Sequence, residues 1–138
     1  MELTFAIIKP DAVKARRTGR IIQRIEESGF TIRAMQLRHL SVKEAEGFYT
    51  VHRERPFFAS LTKFMSSGPC VVMALEAADA IRKWRTLMGA TDPAKAHEGT
   101  IRKEFGASVE NNAIHGSDGV DTAKVEIAYF FPGIELVG

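Results

Sequence analysis

The segment Asn112-Ala113-Ile114-His115-Gly116-Ser117-Asp118-Gly119 places a histidine on a short apolar run that glycine follows at once. Glycine adopts backbone conformations that other residues avoid, so Gly116 predicts a sharp turn that leaves the imidazole of His115 uncrowded. We therefore expect a short strand at 113–115 that ends in a tight turn.

A helix is predicted to follow this turn, over 119–130. Asp118 has the character of an N-cap, and Asp121, three positions later, makes an acidic variant of a capping box. The inner face of the helix, predicted from spacings of three and four residues, comprises Val120, Ala123, Ile127 and Phe130. The histidine would then lie beside free backbone N–H groups at a helix N-terminus, an arrangement that suits phosphate.

His115 alone could be structural or catalytic, and an isolated histidine near an apolar run is more often structural. Two neighbours favour catalysis. Ser117 offers a hydroxyl, and Glu126 on the predicted helix could return a carboxylate to the ring. A carboxylate that holds one ring nitrogen makes the other more basic, which is how a histidine becomes a nucleophile. On these residues alone, both interpretations stay open.

The composition is that of one soluble globular domain: the 138 residues are 45% hydrophobic and 26% charged. The formal net charge of +2 is too small to indicate a nucleic-acid-binding coat. Cys70 is the only cysteine, which excludes an internal disulfide and a cysteine-based zinc site. The N-terminus lacks a signal-peptide pattern and no apolar run approaches the ~20 residues that span a bilayer, so we expect a cytoplasmic protein without a membrane partner.

Hydrophobic periodicity predicts four strands separated by helices. The strands are expected at 3–8, 31–40, 70–75 and 113–115, and the helices before the last strand are expected to begin at Thr18, Ser41, Pro56 and Asp79. Apart from an inserted helical pair after the second strand, this order is the split β-α-β-β-α-β pattern of a ferredoxin-like antiparallel sheet. The predicted fold class is therefore α+β, with residues 1–138 forming a single domain.

The segment 89–112 has little periodicity, and a loop of this length in a compact domain is usually functional or disordered. Its isolated apolar residues Ile101, Phe105 and Val109 predict that it packs against the domain.

Common catalytic and binding signatures are absent from the sequence. It contains no P-loop, no G-x-G-x-x-G dinucleotide fingerprint and no G-x-S-x-G elbow. The four histidines lack metal-ligand spacing, so no protein metal site is predicted.

Several cationic residues could serve an anion site around His115. Lys9 ends the first predicted strand, Arg85 lies on a predicted helix away from its apolar face, and Arg102 lies in the long loop. Phosphoryl transfer needs such donors, since its charge spreads over the equatorial oxygens. Each could equally be a solvated charge. Phe57 could belong to the core or form a plate on which a base stacks.

With these residues laid out, the sequence resembles the nucleoside diphosphate kinase family. The pattern Asn-x-x-His-Gly-Ser-Asp at 112–118 matches the active-site signature of that family and is highly specific. Six further segments resemble the family in the same order: Ile8-Lys9-Pro10-Asp11, Gly47-Phe48-Tyr49, Arg55-Pro56-Phe57-Phe58, Ser67-Gly68-Pro69, Met88-Gly89-Ala90-Thr91 and Gly99-Thr100-Ile101-Arg102. The resemblance covers essentially the whole chain.

The resemblance implies a ping-pong phosphotransferase. His115 would take the γ-phosphoryl group of a nucleoside triphosphate, typically ATP, as a covalent phosphohistidine and pass it to a nucleoside diphosphate. Glu126 and Ser117 would orient His115, and Tyr49 would support the catalytic residues.

The resemblance also implies which residues bind the sugar and phosphates. Lys9 and Asn112 would contact the sugar hydroxyls, with Lys9 also assisting near the transferred phosphate. Arg85, Thr91 and Arg102 would hold the phosphates.

For the base, the resemblance implies that Phe57 stacks on it while Leu61 and Val109 line the slot, and that segment 89–112 clamps the nucleotide. Because every base has a π-face, stacking predicts broad base tolerance.

The implied cofactor is Mg²⁺, held mainly by nucleotide phosphates and water rather than by a protein site. The implied assembly is a homo-oligomer, a tetramer or hexamer built from dimers. Asp92 departs from the family pattern, which more often has Asn there, and its charge could loosen nucleotide binding or be compensated.

A second class of function is an RNA- or nucleotide-binding ferredoxin-like module without catalysis. That interpretation requires paired aromatics on the central strands, whereas the predicted strands carry Ile, Val, Met and Ala. Nucleic acid is therefore not expected as the primary partner.

Overall fold

The computed structural model describes residues 1–133 and 136–137 and has an α+β architecture. The strands are β1 (Glu2–Ile8), β2 (Thr31–Arg38), β3 (Cys70–Ala77) and β4 (Ile114–Gly116). The α-helices are α1 (Pro10–Lys14), α2 (Thr18–Glu27), α3 (Val42–Phe48), α4 (Phe58–Met65), α5 (Ala80–Met88), α6 (Ile101–Phe105) and α7 (Val120–Phe130). Short 3₁₀ turns cover Thr50–His52 and Pro93–Lys95.

The four strands form one antiparallel sheet in the order β2-β3-β1-β4. Strand β1 is central: it pairs along its length with β3, and its last residues pair with β4, where Ile7 lies opposite His115. Helices α3 and α4 form the inserted pair. The predicted ferredoxin-like fold class is confirmed.

Both faces of the sheet are covered, because side chains of the central strands alternate between two cores. Ala6 and Ile8 point into the core beneath α2 and α5, while Phe5 and Ile7 point into the core beneath α3, α4 and α7. The central strands therefore read as continuous apolar runs, and neither face of β1 offers an exposed platform.

Several local predictions were wrong in detail. The link after Lys9 contains the short helix α1, which begins at Pro10, a residue whose fixed φ suits the first helical position. The helices expected to begin at Thr18 and Asp79 do begin there, with Thr18 the first residue of α2 and Asp79 the N-cap residue of α5, but neither helix has a side-chain cap bond. At α5 the Glu2 carboxylate accepts the Ile81 N–H at 2.9 Å.

The helix after the signature also differs from expectation. Its N-cap is Gly119, without a side-chain bond, and Asp118 instead accepts the Thr122 hydroxyl at 2.8 Å. Val120, predicted to face inward, is 52% exposed, whereas Ala123, Ile127 and Phe130 are buried as predicted. Val120 is the first residue of α7.

The segment 89–112 is structured rather than a plain loop, since it contains the 3₁₀ turn and α6. Ile101 is fully buried and Phe105 packs against the first core, as predicted. Val109 does not pack, being 58% exposed. In the described part of the chain, no helix has the length and apolar character needed to cross a membrane.

Gly116 is required by close packing and not by a turn. It is the last residue of β4 and does not have a positive φ. A Cβ at this position would lie 2.5 Å from Cδ1 and 2.6 Å from Nε1 of Trp84, a fully buried ring whose indole N–H donates to the carbonyl of His115. The absence of a side chain therefore lets Trp84 lie against the strand that carries His115.

We expect Gly116→Ala to lower the free energy of unfolding by about 1–3 kcal/mol, because a buried indole has little room to move. Gly19→Ala is the matched control, since a Cβ there meets nothing within 4 Å and alanine favours the helix. Urea unfolding of both variants measures the difference. Equal stability would contradict the packing argument.

Candidate active site

His115 lies on β4 at the edge of the sheet, and one of its ring nitrogens is held by a carboxylate. Its Nε2 lies 3.1 Å from Oε2 of Glu126, and the two side chains are only 20% and 17% exposed. Nδ1 makes no hydrogen bond to any residue that the structure describes. Because the carboxylate accepts from Nε2–H, the lone pair is on Nδ1, where a nucleophile needs it.

The Glu126 carboxylate is itself fixed by the sheet. Its Oε1 accepts the Ser117 hydroxyl at 2.6 Å, and the same hydroxyl oxygen accepts the backbone N–H of Phe5 at 3.1 Å. Ser117 is fully buried. The predicted positioning pair, Glu126 and Ser117, thus links α7, β4 and β1 behind His115.

Aromatic rings surround the imidazole on its other sides. The rings of Phe48 and Tyr49 lie 5.4 and 6.1 Å from it in edge arrangements. Burial, and then the charge of Glu126, raises the pKa of Tyr49, so its hydroxyl stays protonated at neutral pH. That buried hydroxyl has no hydrogen-bond partner among the described residues.

A cleft of about 500 Å³ opens in front of His115, a size suited to a small ligand. The structure brings ten of the twelve predicted site residues to its walls: Lys9, Tyr49, Phe57, Leu61, Arg85, Thr91, Arg102, Val109, Asn112 and His115. The other two, Ser117 and Glu126, lie behind the imidazole.

Three cationic side chains converge at one end of the cleft. Burial and the charge of Arg102 lower the pKa of Lys9 to about 8. Burial and the charge of Arg85 in turn lower the pKa of Arg102 to about 10. Since like charges disfavour one another, the cleft holds positive charges whose repulsion an anion would relieve.

Hydrogen bonds hold two of these cations, Lys9 and Arg102, at the wall of the cleft. Lys9 Nζ donates to Oδ1 of Asn112 at 2.8 Å, and the Asn112 amide donates to the carbonyl of Thr91 at 3.0 Å. The guanidinium of Arg102 donates to the carbonyls of Gly89 and Ile114, at 3.2 and 2.9 Å. Its buried Nε has no partner within the described ranges.

The opposite end of the cleft is apolar and open. Phe57 is the N-cap residue of α4 and is 46% exposed, so it belongs to the cleft wall and not to the core. Leu61 is one turn further along α4, and Val109 faces the slot from the segment before β4. Ser60 donates to Glu110 at 2.8 Å, which ties the two walls together.

Sequence reasoning missed two side chains in the cleft, His52 and Glu110. His52 lies in the 3₁₀ turn, with its ring 5.4 Å from that of Phe57. Its spacing of three residues from Tyr49 is typical of a continuing helix face, whereas α3 ends at Phe48. No sequence pattern predicted that Glu110 would line the cleft, since an acidic residue in an aperiodic segment is usually solvated.

Asp92, the departure from the family pattern, has a local structural role. Its carboxylate accepts the Ala94 N–H at 3.0 Å and caps the 3₁₀ turn at Pro93–Lys95. It does not line the cleft.

The donor set of the cleft fits a phosphate ligand better than a bare metal ion. Its polar walls carry Lys9, Arg85 and Arg102, with Glu110 as the single carboxylate. Among the described residues, no three His, Cys, Asp or Glu side chains are grouped to hold a metal ion. A divalent cation could therefore enter as a complex with a polyphosphate.

Comparison with known proteins matches nearly the whole chain to one family. A family model described as "Nucleoside diphosphate kinase" matches residues 2–136. A protein of that name from Desulfotalea psychrophila is 59% identical over 137 residues, covering 99% of this chain and 100% of the relative. The protein of the same name from Trichlorobacter lovleyi is also 59% identical, over 138 residues and 100% of both chains.

Solved structures agree with the sequence relatives. The nucleoside diphosphate kinase of Aquifex aeolicus superposes with a TM-score of 0.96 at 43% identity, covering 99% of each chain. That of Halobacterium salinarum, solved in complex with CDP, has a TM-score of 0.95 at 41% identity, covering 99% of this chain and 91% of the other.

The lowered pKa of Lys9 predicts a pH-dependent stability. Between pH 8 and 10.5 the unfolded chain binds more protons at this residue than the folded protein, so stability should rise with pH there. Relative to Lys9→Met, the wild type should gain about 2 kcal/mol of unfolding free energy between pH 7 and 9.5.

The measurement is urea unfolding at both pH values. Lys43→Met, which removes an exposed lysine, is the control and should gain the same unfolding free energy as the wild type between the two pH values. An equal change in unfolding free energy for the wild type and Lys9→Met would show that burial does not affect the titration of Lys9.

Proposed function

We propose, because this chain belongs to the nucleoside diphosphate kinase family, that its phosphotransfer between nucleotides runs through a phosphohistidine on His115. One observation carries this proposal: Glu126 holds Nε2 of His115, and Nδ1, which no described residue contacts by a hydrogen bond, belongs to a side chain that lines the cleft. The activity itself, transfer of a phosphoryl group from a nucleoside triphosphate to a nucleoside diphosphate, follows from the family.

The proposed first step forms a bond between Nδ1 and the γ-phosphorus. The bond from that phosphorus to the bridging oxygen breaks, and its electron pair leaves with the nucleoside diphosphate. Nε2 keeps its proton, so Glu126 faces the developing positive charge of the ring and stabilises it. In the second step a β-phosphate oxygen of the acceptor attacks the phosphorus, and the electron pair returns to Nδ1.

One site must serve donor and acceptor in turn, which gives ping-pong kinetics. The cations of Lys9, Arg85 and Arg102 suit the phosphates at the His115 end of the cleft. Thr91 is also assigned to the phosphates. Asn112 and Lys9 are assigned to the sugar hydroxyls, so Lys9 would contact both the sugar and the phosphates. Tyr49 packs edge-on to the imidazole and limits its rotation.

Mg²⁺ is the proposed cofactor. It prefers phosphate oxygens and water with few carboxylates, and the cationic walls of the cleft would receive it already bound to the nucleotide. Bound there, it would neutralise part of the phosphate charge.

Broad base tolerance is proposed from the apolar end of the cleft. Phe57 offers an exposed ring face, and Leu61 and Val109 offer aliphatic contacts. Stacking of this kind discriminates little between bases, since each presents a π-face.

A homo-oligomer built from dimers, as a tetramer or hexamer, is proposed from the exposed edge of the sheet. Strand β2 is an edge strand of the sheet, contacted there by Val137 through the carbonyl of Arg33. Its residues Met35 and Leu37 are 49% and 69% exposed, and an exposed apolar edge pairs readily with another strand. A cytoplasmic location is proposed because the substrates are nucleotides and Cys70 is a free thiol.

The alternative of a binding module without catalysis has less support. Recognition of RNA by a sheet of this type needs aromatic side chains on an exposed face, and here both faces of β1 are buried beneath helices.

The experiment that tests the proposal uses purified protein, Mg²⁺ and γ-labelled ATP without an acceptor. We expect acid-labile, base-stable label on the wild type and none on His115→Ala, whose melting temperature should stay close to wild type. GDP and dTDP should each discharge the label into triphosphate. Unlabelled wild type would contradict the phosphohistidine intermediate.

The same labelled protein identifies the nucleophilic nitrogen. Because Nε2 is held by Glu126, alkaline digestion should release the Nδ1 isomer of phosphohistidine, which chromatography separates from the Nε2 isomer. Recovery of the Nε2 isomer would mean that the imidazole ring of His115 flips, so that Nε2 faces the cleft during the reaction.

Phe57→Ala should weaken binding of adenine, guanine, cytosine and thymine nucleotides alike, by roughly 5- to 150-fold, because stacking contributes ~1–3 kcal/mol per base. Phe57→Leu, which keeps an apolar contact without a π-face, is the control for hydrophobic burial. Titration of each nucleoside diphosphate measures the effect. A loss confined to one base, or only a lower melting temperature, would count against the stacking role.

A further inference from the structure

The residue before β4 has a strained backbone. Ala113 has φ of +75°, and the N–H of Ile114 donates to the carbonyl of Asn112 at 2.9 Å across it. These features define a γ-turn with a positive central φ, a rare and strained conformation for a residue with a Cβ. Such strain persists only where the surroundings enforce it.

Two contacts from residues 9–11, where β1 is followed by α1, enforce this turn. The backbone N–H of Lys9 donates to the carbonyl of Ala113 at 2.8 Å, and the N–H of Ala113 donates to Oδ2 of Asp11 at 3.2 Å. Ala113 is fully buried, so without Asp11 its N–H would lack both water and protein partners, which is unfavourable. Both polar groups of the strained residue are thus fixed by one short segment.

The turn connects the residues on which the reaction depends. Asn112, on one side, bonds to Lys9 and to Thr91. His115, two residues beyond Ala113, is part of a three-residue strand that cannot fix its own register strongly. A change of φ at Ala113 would therefore move Asn112 relative to the imidazole.

We propose that Asp11 is a positioning residue for phosphoryl transfer, which holds the γ-turn at Ala113 and so sets the spacing between Asn112 and His115. This inference rests on the function proposed above and extends it to a residue outside the cleft walls. The Asp11 carboxylate does not touch the nucleotide site. It acts through the backbone, with its second oxygen, Oδ1, buried and without a partner among the described residues.

The surroundings of Asp11 fit a hydrogen-bond acceptor more than an ion-pair partner. Burial raises the pKa of Asp11, while backbone N–H groups, followed by the charge of Lys9, act in the opposite direction. The amide of asparagine keeps an acceptor oxygen of the same reach. Asp11→Asn should therefore preserve the turn, and Asp11→Ala should release it.

The test is a mutant cycle between Asp11 and Ala113, measured as the single-turnover rate of His115 phosphorylation at saturating ATP. We expect Asp11→Ala to slow this rate about 10- to 100-fold, because small misplacements of reacting groups have effects of that size. Asp11→Asn should stay within about threefold of wild type. The KM for ATP should change less than the rate.

Ala113→Gly supplies the second arm of the cycle, since glycine adopts a positive φ without strain. In an Ala113→Gly background, Asp11→Ala should slow the reaction no more than about threefold. Asp121→Ala is the matched control, because Asp121 is also an acidic residue in the first turn of a helix but is exposed. Its rate should equal that of the wild type.

Two outcomes would overturn the inference: a wild-type rate for Asp11→Ala, or the same loss with and without Ala113→Gly, which would mean that Asp11 does not act through the turn. If Asp11→Ala does not fold, Asp11→Ser, whose shorter side chain falls short of the Ala113 N–H, replaces it with the same criteria. Labelling of the wild type at His115 tests the proposed function separately, so the two can fail independently.

Discussion

The Glu126 carboxylate joins the sheet that carries the nucleophile to the helix that packs against it. One oxygen holds Nε2 of His115, and the other accepts the Ser117 hydroxyl, whose oxygen in turn accepts the N–H of Phe5 on the central strand. A shift of α7 against the sheet would break these contacts together. The apolar packing beneath α7 and the orientation of the imidazole are therefore a single constraint.

The cationic end of the cleft lowers the stability of the folded protein. Lys9 and Arg102 are almost fully buried, and each has its pKa lowered by burial and by the next cation in the row. Buried positive charge is unfavourable, and the nearby carboxylates of Asp11 and Glu110 offset it only in part at Lys9, so the cleft is preorganised for a polyanion. The strained turn at Ala113 belongs to the same pattern, since a rigid surround holds an unfavourable local state next to the reacting groups.

Much of the architecture and the site could be read from local patterns. The segment Ser41-Val42-Lys43-Glu44 has the capping-box pattern, and both reciprocal hydrogen bonds between Ser41 and Glu44 are present, because the partners are three residues apart. The alternation of polar and apolar residues over 31–40 is irregular near Ala34, and β2 has a register shift between Ile32 and Ala34. Features without a local pattern were missed: α1 is too short to show periodicity, and α6 is hidden in an aperiodic segment.

The sequence by itself determined the order of the strands and of the longer helices, the family signature and the residue types available to the site, since each is encoded by neighbours along the chain. Only the tertiary structure decided which imidazole nitrogen is free, that Gly116 accommodates Trp84 and not a turn, and that Phe57 faces the cleft. It also decided that Lys9, Arg85 and Arg102 meet at one end of that cleft. These facts depend on contacts between residues far apart in the sequence. They also depend on burial, which shifts the pKa values of Lys9 and Arg102 only when the chain is folded.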